Sequence, residues 1–208
     1  MRHRFKMPAI GLLLVCLAVV SVVPVDGATV KRRNIGHLVS MGTDIIAGQV
    51  TGVSDGFDAN GVPYTEVTLR VDEAPKGAAS GTYTFRQFGL IEPHDMGNGR
   101  VNLNVTPDGW PTYSRGEDVV LFLYKKASLT GLRTTVGLFQ GKFMVEDGQI
   151  TNVISNEGLF RGVNVDRRML NEKEAAMLNT TKGGVPVETF LSFVNKSVQE
   201  QWFTELGE

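Results

Sequence analysis

Asp118-Val-Val-Leu-Phe-Leu-Tyr124 is the stretch on which the fold turns. Its apolar run is nearly continuous, so a strand made from it hides both faces and belongs at the centre of a sheet. Arg115-Gly116-Glu117 precedes it as a turn. Working outward, Tyr64-Thr-Glu-Val-Thr-Leu-Arg-Val-Asp72 alternates Val67, Leu69 and Val71 with Glu66, Thr68, Arg70 and Asp72, which predicts a strand with one wet and one buried face. Asp44-Ile-Ile-Ala-Gly-Gln-Val-Thr-Gly-Val53 is a β-branched run in which Gly48 and Gly52 mark a bulge or a close approach of neighbouring backbone. Between these two, Ser54-Asp-Gly-Phe-Asp-Ala-Asn-Gly61 carries the Asp-Gly and Asn-Gly signals of a reversal.

Thr82-Tyr-Thr-Phe-Arg-Gln-Phe88 alternates again, after Pro75-Lys76-Gly77 ends the preceding strand. Residues 132–138, 141–145 and 150–154 predict two or three further strands, with Glu146-Asp147-Gly148-Gln149 as a turn. Short strands joined by Gly-rich turns, with no helix between them, predict a mainly β fold: an antiparallel barrel of five to seven strands or a sandwich. A pair of C-terminal helices follows. Asn171 caps a short one over 172–178, and residues 186–203 place Val187, Phe190, Leu191, Val194, Val198 and Phe203 on one side of a second, with Pro186 tolerated in its first turn. Ile35, Leu38, Val39 and Met41 predict one or two helical turns before the first strand.

The chain begins with a basic stretch, Met1-Arg-His-Arg-Phe-Lys6, and an apolar run over 10–23, shorter than the roughly 20 residues of a membrane span. This predicts a signal peptide over 1–27, cleaved between Gly27 and Ala28, and an exported protein, periplasmic or extracellular. An uncleaved N-terminal segment anchoring the chain to a membrane is the alternative. Residues 28–160 then form the barrel and 161–208 a helical appendage. Cys16, the one cysteine, lies in the leader, so the mature chain has no disulfide. Loss of Arg2, Arg4, Lys6 and Asp26 leaves 18 basic and 21 acidic residues. That mild acidity argues against nucleic-acid binding, which needs clustered cations, and Lys31-Arg32-Arg33 reads as a solvated terminus. Nothing in the mature chain predicts membrane insertion, and the oligomeric state is open, with dimerisation through the second C-terminal helix as one reading.

Several of these segments, notably residues 44–50, 64–77, 84–87, 114–123 and 136–143, together resemble a group of uncharacterised exported bacterial proteins. Those are similar in turn to the OB-fold barrel of netrins and tissue inhibitors of metalloproteinases. The resemblance covers about residues 40–155 and implies an OB-like barrel. It does not imply the inhibitor mechanism, which uses an N-terminal cysteine and disulfides that this mature chain lacks.

Residues 89–114 break the pattern. A loop of this length in a compact domain is usually functional, and Arg100-Val-Asn-Leu-Asn-Val105 suggests a short edge hairpin inside it. Its candidate binding residues are Trp110, in Pro107-Asp-Gly-Trp-Pro111, and the cluster Glu92, His94 and Asp95. Trp110 serves either as an interface contact or as a plug at the barrel's end. His94 has no second histidine nearby to complete a metal site, and no metal or other cofactor is expected. Asp55, Asp58 and Asn60 have the oxygen-rich look of a calcium loop but lack a Glu at the right distance, so a plain turn is expected. Residues 137–142 (GLFQGK) look Walker-like yet sit in a strand pattern. No nucleophile motif occurs. The expected function is therefore a non-enzymatic, exported binding module that takes a protein or cell-envelope partner on the 89–114 loop and the barrel edge. Alternatives are an accessory or inhibitor of an exported protease, and a hydrolase using carboxylates such as Glu92, Asp95 and Asp108.

Overall fold

The computed structural model describes residues 30–77 and 79–204. The expected leader and its cleavage point lie outside them. The described residues from 31 onward form one compact unit. In chain order it contains α1 (Ile35–Met41), β1 (Asp44–Phe57), β2 (Pro63–Lys76), β3 (Thr82–Phe88), β4 (His94–Asp95), β5 (Val101–Asn102), β6 (Asp118–Leu123), β7 (Lys142–Glu146), β8 (Gln149–Asn152), α2 (Glu172–Met177), β9 (Val185–Pro186) and α3 (Val187–Gln199). Seven strands make one antiparallel sheet in the order β3-β2-β1-β6-β7-β8-β9, and β4 and β5 form a separate two-stranded hairpin.

β6 occupies the middle of the sheet, as its unbroken apolar run requires. Its side chains alternate between two cores. Val120 and Phe122 point to one side with Ile45, Ala47 and Phe143, while Val119, Leu121 and Leu123 point to the other with Ile46, Val50, Leu69 and Phe85. The first core is covered by helices. Phe190, Phe193 and Val194 of α3 and Ile35 and Leu38 of α1 are buried in it, and the rings of Phe122, Phe143 and Phe190 meet at centroid distances of 5.1–6.3 Å. The amphipathic stripe expected for 186–203 thus packs on the sheet. It runs wider than expected, since Phe193 is fully buried, and Phe203 reaches the core from a turn beyond the helix.

A bend in β1 makes this arrangement possible. Residues 44–49 pair with β6, while pairing with β2 runs on to Phe57, with register shifts around Ala47, Gly48 and Gly52. At Gly48 the neighbouring backbone approaches so closely that a Cβ would lie 2.1 Å from the Arg70 carbonyl oxygen. Only glycine fits there. Gly52 sits at a register shift without such crowding, its nearest neighbour being the Thr68 Cβ at 3.7 Å.

The helices are fastened by one carboxylate. Asn171 and Glu174 form a capping box at the start of α2, the Asn171 side chain accepting from the Glu174 N–H and the Glu174 carboxylate from the Asn171 N–H. Glu174 is fully buried and also accepts from Ser192 Oγ and Lys196 Nζ of α3, both at 2.8 Å. Desolvation by itself pushes this carboxyl's pKa up, but the bonds from Lys196, Asn171 and Ser192 outweigh it and hold the group below the ordinary glutamate range.

The structure corrects four expectations. The sheet is not closed into a barrel: its edges, β3 and β9, share no ladder. Residues 132–138 are not a strand, because the segment makes one isolated bridge, Leu123 to Thr135, and then enters a 3-10 turn at Leu138–Gly141. That turn takes GLFQGK out of a strand up to Gly141, and only its last residue, Lys142, enters β7. β1 continues through Ser54 to Phe57, so the reversal falls later, where the Asp58 carboxylate accepts from the N–H groups of Asn60 and Val62 at 2.8 Å. β2 runs on through Pro75 and Lys76 and turns at Gly77.

Gly48→Ala is expected to cost about 1–3 kcal/mol through overpacking, seen as a lowered thermal midpoint by circular dichroism. Gly52→Ala shifts the midpoint less. Glu174→Gln costs about 1–3 kcal/mol at neutral pH by leaving buried partners of a carboxylate mismatched. A depressed carboxyl pKa stabilises the fold above the unfolded-state value, and the contribution is lost as pH falls through the folded-state value. The deficit of Glu174→Gln, measured by urea unfolding, therefore narrows between neutral pH and about pH 3.

Candidate functional site

Residues 89–114 are the longest departure from the sheet, and both ends are pinned. Gly89 has φ +104°, and a side chain there would strike the Thr106 backbone, so the loop can double back on itself only at glycine. Leu90 is fully buried and trades backbone hydrogen bonds with Asn104 and Thr106. The Asp55 carboxylate accepts from the Ile91 N–H at 2.7 Å, and Thr65 Oγ1 donates to the Gly89 carbonyl at 2.7 Å. At the far end, Gln87 Nε2 donates to the Pro111 carbonyl at 2.8 Å. Tyr113 is buried edge-on against Phe85. Burial, reinforced by the Glu117 charge, pushes the Tyr113 phenol far up its range, so it stays protonated.

Between these anchors the chain projects the β4–β5 hairpin. Residues 91–105 carry five of the nine exposed large hydrophobic residues among those described: Ile91, Met96, Val101, Leu103 and Val105, with Leu103 72% exposed. The alternation of Val101, Leu103 and Val105 with Asn102 and Asn104, read from sequence as an edge hairpin, ends as a two-residue pairing whose apolar side chains face solvent. Glu92, His94 and Asp95 lie on this hairpin and are exposed. His94 stands edge-on to Phe57 at 5.5 Å, and the Asp95 carboxylate accepts from the Gly97 N–H at 2.9 Å. Among the described residues, no group of three or more His, Cys, Asp and Glu side chains is placed to hold a metal.

Trp110 belongs to a different surface. It is half-buried, outside both cores, and lines an open cleft of about 200 Å³ with Pro111, Phe139, Met144 and Val153. The cleft also meets an ion pair that sequence reading passed over. Lys142 Nζ lies 2.6 Å from Glu117 Oε2, donates to the Thr112 carbonyl at 2.6 Å, and sits 4.7 Å from the centre of the Tyr113 ring. Its side chain is only 10% exposed. Trp110 is held there by backbone alone, its N–H on the Pro107 carbonyl and the Phe139 N–H on the Gly109 carbonyl. The four candidate residues thus fall on two features, the hairpin with Glu92, His94 and Asp95, and the cleft with Trp110.

Three features outside the candidate set complete the picture: the exposed aliphatic side chains, Lys142, and Phe139. The aliphatic signal was readable in residues 101–105. Phe139 and Lys142 were not, because both lie in GLFQGK, whose apolar pattern imitates a strand. Asp108, like Glu92 and Asp95, is exposed. Comparison with protein-family models, with curated proteins and with solved structures finds no match to this chain.

Proposed function

We propose that this chain is an exported, non-enzymatic binding module that holds a protein partner at the cell envelope through residues 89–114 and the adjoining sheet edge at β3. The observation that carries the reading is the concentration of exposed aliphatic side chains on a hairpin pinned at both ends. Five such residues on one short projection are costly to leave in water unless another surface covers them. The pinned base limits the ordering entropy that binding must overcome. A protein partner suits the hairpin better than an anionic membrane, because Glu92 and Asp95 outnumber its single cation, Arg100. An exported protease would be one such partner. Enzymatic use of Glu92, Asp95 and Asp108 has less support, since all three stand in solvent without a shared enclosure.

The same proposal takes β3-β2-β1-β6 as an OB-like half-barrel related to the netrin type. Its support is the segment 133–136, which lies between β3 and the end of β6: Arg133 N–H donates to the Arg86 carbonyl of β3 at 2.8 Å, while on the β6 side Tyr124 N–H donates to Thr134 at 3.0 Å and Val136 N–H to Phe122 at 2.7 Å. OB-type barrels bind partners on one face and its loops. Export rests on the basic and apolar N-terminal pattern of the sequence.

In-cell crosslinking in the native organism, followed by purification of the tagged chain, tests the reading. The double variant Val101→Asp/Leu103→Asp is expected to lose its crosslinked partner by about tenfold or more, as loss of interface anchors does. Leu129→Asp, at a residue 96% exposed on another loop, keeps it. Equal recovery with all three proteins would end the proposal.

A further inference from the structure

A second surface is built around a turn far along the chain. Asn152 and Asn156 are both buried, and each side chain accepts the other's backbone N–H, at 3.0 and 2.9 Å. Asn156 Nδ2 donates to the carbonyls of Ile150 and Gly183 at 2.9 and 3.0 Å, and Gly183 N–H donates to Ser155 at 2.7 Å. This network clamps the turn before Glu157 against residues 181–183. The segment leading into α1 is tied on as well: Ile35 N–H donates to Leu159 at 2.7 Å, Asn34 Nδ2 to the Arg161 carbonyl at 2.9 Å, and an Arg32 guanidinium nitrogen to the Glu157 carbonyl at 3.5 Å.

The result is a cleft of about 400 Å³ lined by Glu157, Arg161, Asn179, Thr180, Thr181 and Lys182, with Arg32 beside Glu157. Two cations from separate segments, Arg32 and Lys182, approach the Glu157 carboxylate, and Arg161 lines the same cleft. That carboxylate is 3.9 Å from both Arg32 Nη2 and Lys182 Nζ, beyond hydrogen-bond reach, so it offsets the charge without occupying the donors. Hydroxyl and amide groups of Asn179, Thr180 and Thr181 add further hydrogen-bonding capacity.

We propose that this cleft binds an oxyanion of the phosphate type. Charge-assisted bonds from guanidinium and ammonium groups are the strong ones, and a tetrahedral oxyanion can accept from several donors at once where a carboxylate offers two oxygens. Glu157 is the built-in competitor for these cations. The site is independent of the hairpin: its failure would leave the protein-binding reading standing, and the reverse.

The test is an NMR titration of the full chain with inorganic phosphate, read at the amides of Gly158, Thr181 and Lys182. It runs in parallel with sedimentation against phosphatidylcholine vesicles with and without phosphatidylglycerol. Saturable shifts at those amides, or binding only to the phosphatidylglycerol vesicles, are expected. The first assigns a free ion and the second a lipid headgroup. Arg161→Ala/Lys182→Ala is expected to weaken the interaction by about tenfold, the usual scale for lost charged hydrogen bonds. Glu157→Gln is expected to strengthen it about threefold by removing the competing charge. All three positions are exposed, and unchanged signals from the cores show that the variants fold. No response in either arm, binding that persists in the double variant, or binding that is unchanged or weaker in Glu157→Gln overturns the proposal.

Discussion

At Gly48 the backbones of β1 and β2 come so close that the Arg70 carbonyl occupies the place of a side chain. Everything on both sides of the sheet follows from this contact. It lets β1 bend, pairing with β6 through residue 49 while following β2 out to Phe57. A straight β1 would put Ile45 and Ala47 out of line with the helices, or Ile46 and Val50 out of line with Leu69 and Phe85. The bend also sets the far half of β1 and β2, with Asp55 and Thr65, beside Gly89 and Ile91, where the projecting hairpin is fastened. The glycine is therefore a condition for the cores and for the placement of the candidate binding element.

Where a residue's local pattern and its tertiary surroundings agree, the sequence could be read directly. β6 is one case, because a run apolar at every position has no wet face and must be central. α2 is another: Asn171 reads as its cap in sequence, and in space it caps α2 through a capping box with Glu174. What sequence could not supply was the second use of Glu174, as the acceptor for Ser192 and Lys196, since those contacts span about 20 residues and depend on how α3 lies. Gly48 shows the same limit in a milder form. Its position within a β-branched run marked a bulge or close approach, but not which of Gly48 and Gly52 bore the crowding.

Residues 132–138 failed for a physical reason rather than for want of signal. Their apolar spacing imitates a strand, yet Arg133 lies near its start with a side chain only 3% exposed. It pairs with Asp44 at 2.5 Å and donates to Thr43 Oγ1, the Tyr83 hydroxyl and the Leu123 carbonyl. A charge drawn inward this way takes the backbone with it, and ladder geometry is given up in favour of satisfying the guanidinium. The candidate loop was legible, but by the opposite route the exposure of its aliphatic side chains was not. Val101, Leu103 and Val105 alternate as a buried strand does, and periodicity says which side chains share a face but not whether anything covers that face.

The Arg133 constellation also bears on how the sheet holds its shape. β3 and β6 are linked only through residues 133–135, by the Arg133 N–H bond to Arg86 and the Leu123–Thr135 bridge, rather than through a continuous ladder. A row of such bonds would be weak alone. The ion pair adds a specific geometric requirement: Asp44 at the start of β1, Tyr83 on β3 and the end of β6 must converge on one guanidinium. Because taking two charges from water costs several kcal/mol, an ion pair of this kind contributes more to register than to net stability. It fixes the spacing between β3 and β6, and β3 leads directly into Gly89. The base of the β4–β5 hairpin is thus tied to the centre of the sheet by polar contacts whose geometry tolerates little variation.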